Sequence, residues 1–261
     1  MPPSVKVKAS DSPVKKRREQ IAQLVLDQFG DSLYDCRVLC FFDDEDCEEL
    51  KLLTGLGAAN RAFHTTIGES SAFQGWPKYV TDCIVDFERN PIRRRLLVDQ
   101  VVYLHGGACA DCVGMTMSFA HELQHVMQRL KVPKLLTANL LFRHLPNTGL
   151  HWSDIPVERE ARAEAKRMAV TLHGSEAVNE LLRQRASTTN DPIELADVRF
   201  IQELDTTAPY SLKDETLALF ARFKDRRAEF ESLIEDFKFN PNFEPVVDLD
   251  SFMPPVVDSK Q

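Results

Sequence analysis

The chain has 261 residues, enough for one large domain, and 43% apolar and 28% charged residues, the composition of an ordinary folded protein. Its formal net charge of −8 argues against nucleic acid as the main partner. No run approaches the roughly 18 apolar residues that span a bilayer, and the basic amino terminus lacks the apolar stretch of a secretory signal. We therefore expect a cytoplasmic protein with no membrane partner.

Patterns in the amino-terminal half predict a leader, a helix and a small sheet. Residues 1–13 are rich in Pro, Ser and Lys and are expected to be a disordered leader. Apolar residues at helical spacing predict a helix over residues 14–29. Acidic residues in a first turn, followed by a glycine, predict another helix over residues 43–55. Short apolar runs predict strands at Arg37–Phe42, Tyr79–Phe87 and Asp99–Leu104.

The carboxyl-terminal half, from Gly114 onward, has helical patterns. A continuous apolar face predicts a helix of about four turns that Pro133 ends. A second long helix is expected to have Ser153 or Asp154 as its N-cap and to end before Gly174. Further helices are predicted over residues 133–143, 176–186, 193–204 and 211–237. The fold class is therefore α+β, with one domain over residues 14–237 and an extended, proline-rich tail over 238–261.

The strongest chemical signal is the segment SFAHELQHVMQRL. His121 and His125 are four residues apart on a predicted helix, so both imidazoles leave the same face, where one Zn²⁺ can bind both. Glu122 lies about 100° further around the helix, beside the position of the metal. A carboxylate there is suited to act as the general base that takes a proton from a metal-activated water.

A catalytic zinc site needs a third protein ligand, and the position six residues after His125 is Lys131 instead of a histidine. The following helix offers Glu158, which shares an inward face with Ala161 and Ala165. A carboxylate on such a face needs a cation nearby. Glu158 is therefore the predicted third ligand, and the alternatives are Glu160, His144, His151 or an acidic residue elsewhere in the chain.

The motif AHELQH followed by PVEREA resembles the gluzincin class of zinc metallopeptidases, over roughly residues 99–172. In that class a helix with HExxH is followed by a second helix that supplies a Glu. The resemblance implies a zincin-like core, with a small sheet whose edge strand, expected at Asp99–Leu104, borders the cleft. One position departs from the pattern: some gluzincins carry Asp four residues after the ligand Glu, and this chain has Arg162 there.

The sequence therefore predicts a zinc metallopeptidase that cleaves a peptide or protein substrate, with His121, His125 and Glu158 as ligands and Glu122 as catalytic base. Two other classes stay open: a zinc-binding regulatory module without turnover, and a helical interaction protein without metal. Cys109 and Cys112 form a lone CxxC that is expected to be a pair of thiols in a turn. The oxyanion-stabilising group is not assigned among Tyr103, His105, His144, His151 and Tyr210.

Overall fold

The structure is a computed structural model that describes residues 3–9, 11–33, 38–43, 62–66, 100–237 and 247–253. The strand predicted at Tyr79–Phe87 lies outside the described residues. So does the helix predicted over 43–55, except for Asp43, which ends a strand. No helix in the described ranges combines the length and the apolar character needed to cross a bilayer.

The regular elements of the described ranges are four strands and, apart from short 3₁₀ turns, eight helices. The strands are β1 (Ser4–Lys8), β2 (Val38–Asp43), β3 (Ala62–Thr66) and β4 (Gln100–His105). The first helices are α1 (Ser12–Phe29), α2 (Cys112–Lys131), α3 (Pro133–His144) and α4 (Pro156–His173). The remaining helices are α5 (Ser175–Thr188), α6 (Pro192–Glu203), α7 (Leu212–Arg222) and α8 (Arg227–Phe237).

The sheet has the strand order β1-β2-β4-β3, in which β3 alone runs antiparallel to its neighbour. The expectation that Asp99–Leu104 is the edge strand is wrong, because β4 lies between β2 and β3. All six residues of β4 are buried. Its run of Val101, Val102 and Leu104 is apolar on both faces of the strand, which is typical of a central strand. Among the described strands, β1 and β3 lie at the two edges of the sheet, and β3 is the one that pairs with β4.

The disordered leader expected for residues 1–13 is also corrected. Residues Ser4–Lys8 form β1, which pairs in parallel with β2, and α1 already begins at Ser12. The segment reads Val-Lys-Val-Lys from Val5, an alternation that suits a strand with one face toward the core. Val5 and Val7 do pack against the core, so this alternation outweighs the polar composition of the segment.

The chain divides into two compact units, and each has its own apolar core. The first unit comprises Met1–Met127 and Ala161–Thr206, and the second comprises Gln128–Glu160 and Thr207–Gln261. In the first unit, α1, the sheet, α2 and α4 contribute to one core. The rings of Phe42 on β2 and Phe119 on α2 meet edge to face at a centroid distance of 5.0 Å.

The second unit is built around three aromatic rings. Phe142 lies 4.7 Å from Phe220 and 5.1 Å from Phe230, and the last two are 5.1 Å from each other. On one continuous helix Phe220 and Phe230 would be about 15 Å apart along the axis, because each residue advances 1.5 Å. The single helix predicted over 211–237 is therefore wrong: α7 ends at Arg222, and the chain redirects before α8.

The tail is integrated into this second core where the structure describes it. Val247, Leu249 and Met253 are buried in the same cluster. Arg227 donates to the Met253 carbonyl and forms an ion pair with Asp250 at 2.5 Å. The expectation of an extended tail is therefore corrected for 247–253, where apolar side chains outweigh the prolines around them.

Candidate metal centre

Helix α2 presents the two histidines. The Asp111 carboxylate accepts a hydrogen bond from the Gly114 backbone N–H and so caps the helix start. The helix ends at Lys131 because Pro133 lacks an N–H and disfavours helical backbone at the residue before it. Met115, Phe119, Leu123 and Val126 are buried along one side, as the apolar periodicity predicted. Leu130, predicted on the same face, is 37% exposed near the end of the helix.

His121 and His125 lie side by side on α2, half-buried. Their Nε2 atoms are 3.1 Å apart, and their rings are nearly perpendicular with centroids at 4.7 Å. A hydrogen bond at this distance requires one ring to be the Nε2–H tautomer, donating to the other Nε2. Glu122, the next residue after His121, is buried with 7% of its surface exposed.

Helix α4 places Glu158 in its first turn. Of the residues predicted to face inward with it, Ala161, Ala165 and Met168 are at most 4% exposed, and Leu172 is partly buried. Glu158 itself is 1% exposed. Ser153 and Asp154 do not cap this helix, because they belong to a separate 3₁₀ turn, Trp152–Asp154, that His151 caps. That turn comes directly before α4.

His121, His125 and Glu158 converge. Each offers one potential ligand atom, and these atoms all lie within 4.8 Å of one another. Glu160 is not part of this group, and its carboxylate accepts a hydrogen bond from the Gln128 side chain at 2.8 Å. Of the alternatives for a third ligand, the geometry therefore favours Glu158.

Two residues that the sequence patterns did not single out, Gln128 and Arg143, contact Glu158 or residues close to it on α4. Gln128 is 1% exposed and donates its side-chain amide to the Val157 carbonyl as well as to Glu160. Arg143 forms an ion pair with the Glu158 carboxylate. Both contacts join residues 15 or more positions apart. Local periodicity contains no signal for such contacts.

The aromatic and histidine side chains that were open as oxyanion donors have structural contacts instead. Tyr103 and His105 are fully buried in β4, with ring centroids 5.4 Å apart. The Tyr210 hydroxyl donates to the Pro156 carbonyl at 2.9 Å, and burial raises its pKa. His151 caps the 3₁₀ turn. His144 is the last residue of α3, and its partial burial lowers its pKa. None of these contacts assigns an oxyanion donor.

Two further sequence features can be placed in the structure. Arg162, at the position where some gluzincins have Asp, forms an ion pair with Asp197 at 2.7 Å. Cys109 ends the 3₁₀ turn Gly106–Cys109 and Cys112 begins α2, and both are thiols, as expected.

No protein-family model, curated protein or solved structure matches this chain. The gluzincin resemblance and the zincin-like fold class therefore stay predictions. They rest on the HELQH segment, on the downstream Glu158 and on the convergence of these side chains.

Proposed function

We propose that this chain is a zinc-dependent hydrolase of the gluzincin type that cleaves a peptide bond. The observation that supports it best is the convergence of His121, His125 and Glu158 within 4.8 Å, from two helices, with Glu122 next to the first histidine. Two imidazoles and one carboxylate are the protein ligands of a common catalytic zinc class.

The donor set can be tested for its fit to zinc. Tetrahedral zinc with bonds of roughly 2.0–2.1 Å holds two ligand nitrogens about 3.3 Å apart. The Nε2 atoms of His121 and His125 are 3.1 Å apart, close to that value. Glu158 supplies one negative charge at a buried position. A buried carboxylate attracts a divalent cation more strongly than a solvent-exposed carboxylate does. The donor types and the spacing of the two imidazoles therefore fit the metal.

Each residue has a distinct part in the proposed reaction. His121, His125 and Glu158 would hold the cation, which when bound would lower the pKa of a water molecule to about 7 and polarise a carbonyl. Glu122 is too far around the helix to share the ligand face, and its carboxylate accepts the proton of the attacking water and returns it to the leaving amine. Burial of Glu122 limits competition from bulk water.

An extended substrate in this proposal pairs with the edge of the sheet by strand addition. Because β4 is central, β3, the edge strand on that side among the described strands, takes the place of Asp99–Leu104 in this role. The thiols of Cys40, Cys109 and Cys112 suit a reducing compartment, so we retain the cytoplasm as the site of action.

The test compares wild type with single acid-to-amide variants. We expect Glu122→Gln to lower hydrolysis of a generic peptide pool at least about 100-fold with zinc content unchanged, since proton transfer contributes that much and the amide is not a ligand. Glu158→Gln is expected to lose zinc, and Glu160→Gln to keep it. Glu164→Gln on α4 is the matched control, because Glu164 pairs with Arg167 only at the helix surface.

The readouts are new peptide termini by mass spectrometry and zinc per chain by elemental analysis. Hydrolysis by Glu122→Gln at the wild-type rate would contradict the proposed base. A wild-type protein that binds zinc and cleaves nothing in the pool would instead favour a zinc-binding regulatory module.

A further inference from the structure

Arg143, in the last turn of α3, contacts the carboxylate of the proposed metal ligand. Its Nη2 forms an ion pair with Oε1 of Glu158. The two side chains differ in environment, because Glu158 is 1% exposed and the Arg143 side chain 26%. The guanidinium also stacks on Trp152, with Cζ 3.8 Å from the ring centroid.

This ion pair neutralises a buried carboxylate. An ionised acid that is removed from water requires an opposite charge nearby. In the described structure Arg143 supplies that charge to Glu158. The same carboxylate belongs to the group of potential ligands with His121 and His125. One buried carboxylate thus has two candidate cations, a guanidinium and a metal ion.

The two cations repel each other when both approach Glu158. At separations of a few ångströms and the effective dielectric constant of a partly buried site, like charges interact strongly. The metal has a second set of ligands in the two imidazoles, whereas Arg143 has its stack on Trp152 and partial exposure to water. Release of Glu158 to the metal therefore leaves the guanidinium with an acceptable environment.

We propose that Arg143 is the resident counter-cation of Glu158 and competes with the metal for this carboxylate, so that the ion pair sets the zinc affinity of the site. This inference rests on the proposed function, because it requires that the three side chains bind a metal. It predicts that Arg143 lowers the zinc affinity of the site, whereas a residue that supports a ligand raises it. Removal of a support weakens zinc binding, whereas removal of a competitor strengthens it.

The experiment measures zinc affinity by competition with a chromogenic chelator, together with the melting temperature with and without zinc. For Arg143→Gln we expect zinc binding at least about tenfold tighter than wild type. Its metal-free melting temperature is expected to fall, because Glu158 loses its partner, and its rise on zinc addition to be larger. Arg143→Lys keeps the charge but not the planar fork, and we expect a smaller gain in affinity.

The matched control is Arg222→Gln, which removes another guanidinium that lies over an aromatic ring, that of Phe223. We expect its zinc affinity to equal that of wild type. Unchanged or weaker zinc binding by Arg143→Gln, with wild type binding about one zinc, overturns the competition and leaves the proposed function standing. If neither wild type nor Arg143→Gln binds zinc, the proposed function and this inference both fail.

Two further results also decide the matter. Zinc binding by Arg143→Gln but not by wild type supports the competition between Arg143 and the metal for Glu158. Folding of Arg143→Gln only in the presence of zinc also supports it. If Arg143→Gln does not fold under either condition, Arg143→Lys is decisive, and zinc affinity equal to or below wild type in that variant overturns the inference.

Discussion

Gln128 provides a sharp test of how the proposed metal centre is supported. Its buried side-chain amide joins α2 to the first turn of α4, with hydrogen bonds of 2.8 Å to the Val157 carbonyl and to the Glu160 carboxylate. Val157 immediately precedes Glu158 in the sequence. The substitution Gln128→Met removes both hydrogen bonds and nearly conserves the volume of the side chain.

The expected loss follows from the two bonds. A hydrogen bond between neutral groups contributes about 0.5–1.5 kcal/mol, and one to a charged group about 1.5–3 kcal/mol. Water can replace part of the second bond, because Glu160 is only half-buried. We therefore expect the free energy of unfolding to fall by about 1–3 kcal/mol. Loss of residues that orient metal ligands typically lowers metal affinity roughly 10–100-fold, and we expect that range here.

The assays are urea unfolding of the metal-free protein and zinc affinity by chelator competition. Gln184→Met is the control, because Gln184 is exposed on α5, and we expect neither quantity to change. Wild-type zinc affinity in Gln128→Met would refute the idea that this amide positions Glu158. Wild-type stability would refute the energetic contribution of the two hydrogen bonds.

Three further predictions concern the rest of the chain. Phe220→Ala is expected to lower the free energy of unfolding by about 3–5 kcal/mol in a denaturant titration, because its ring is fully buried between two others, and a loss below 1 kcal/mol would contradict that packing. Leu249→Ala is expected to lower it by about 2–4 kcal/mol, whereas an unchanged value would mean that the tail does not belong to the core. Burial lowers the pKa of His173 in the folded protein below its ordinary value of 6.5. As the pH drops through about 6.5, the unfolded chain therefore binds a proton at His173 more readily than the folded chain does, and the free energy of unfolding falls. Melting temperatures between pH 5 and 8 are expected to show a flatter slope for His173→Gln, and an identical slope would count against the shift.

Local patterns predicted the two helices that carry the proposed ligands because each has a long apolar face. The spacing of His121 and His125 and the inward face of Glu158 are properties of a single helix, so the sequence carries them directly. The edge strand was mispredicted because strand order depends on pairing with β3, whose residues gave no strong strand pattern.

Features that depend on contacts between residues far apart in the sequence could not be predicted from local sequence patterns. No glycine or proline marks the break between α7 and α8, which is imposed by the packing of Phe220 and Phe230 around Phe142. Arg143 and Gln128 look like ordinary surface positions in the sequence. Their importance comes only from the carboxylate and carbonyl groups that the fold brings to them.

The most direct test of the central claim is the zinc content of the untagged protein after growth in zinc-replete medium. Elemental analysis is expected to give about one zinc per chain in wild type and in Glu122→Gln, and a large loss in His121→Ala and Glu158→Gln. A well-folded wild-type protein with far less than one zinc per chain, or with a zinc content that these ligand substitutions leave unchanged, would contradict the account.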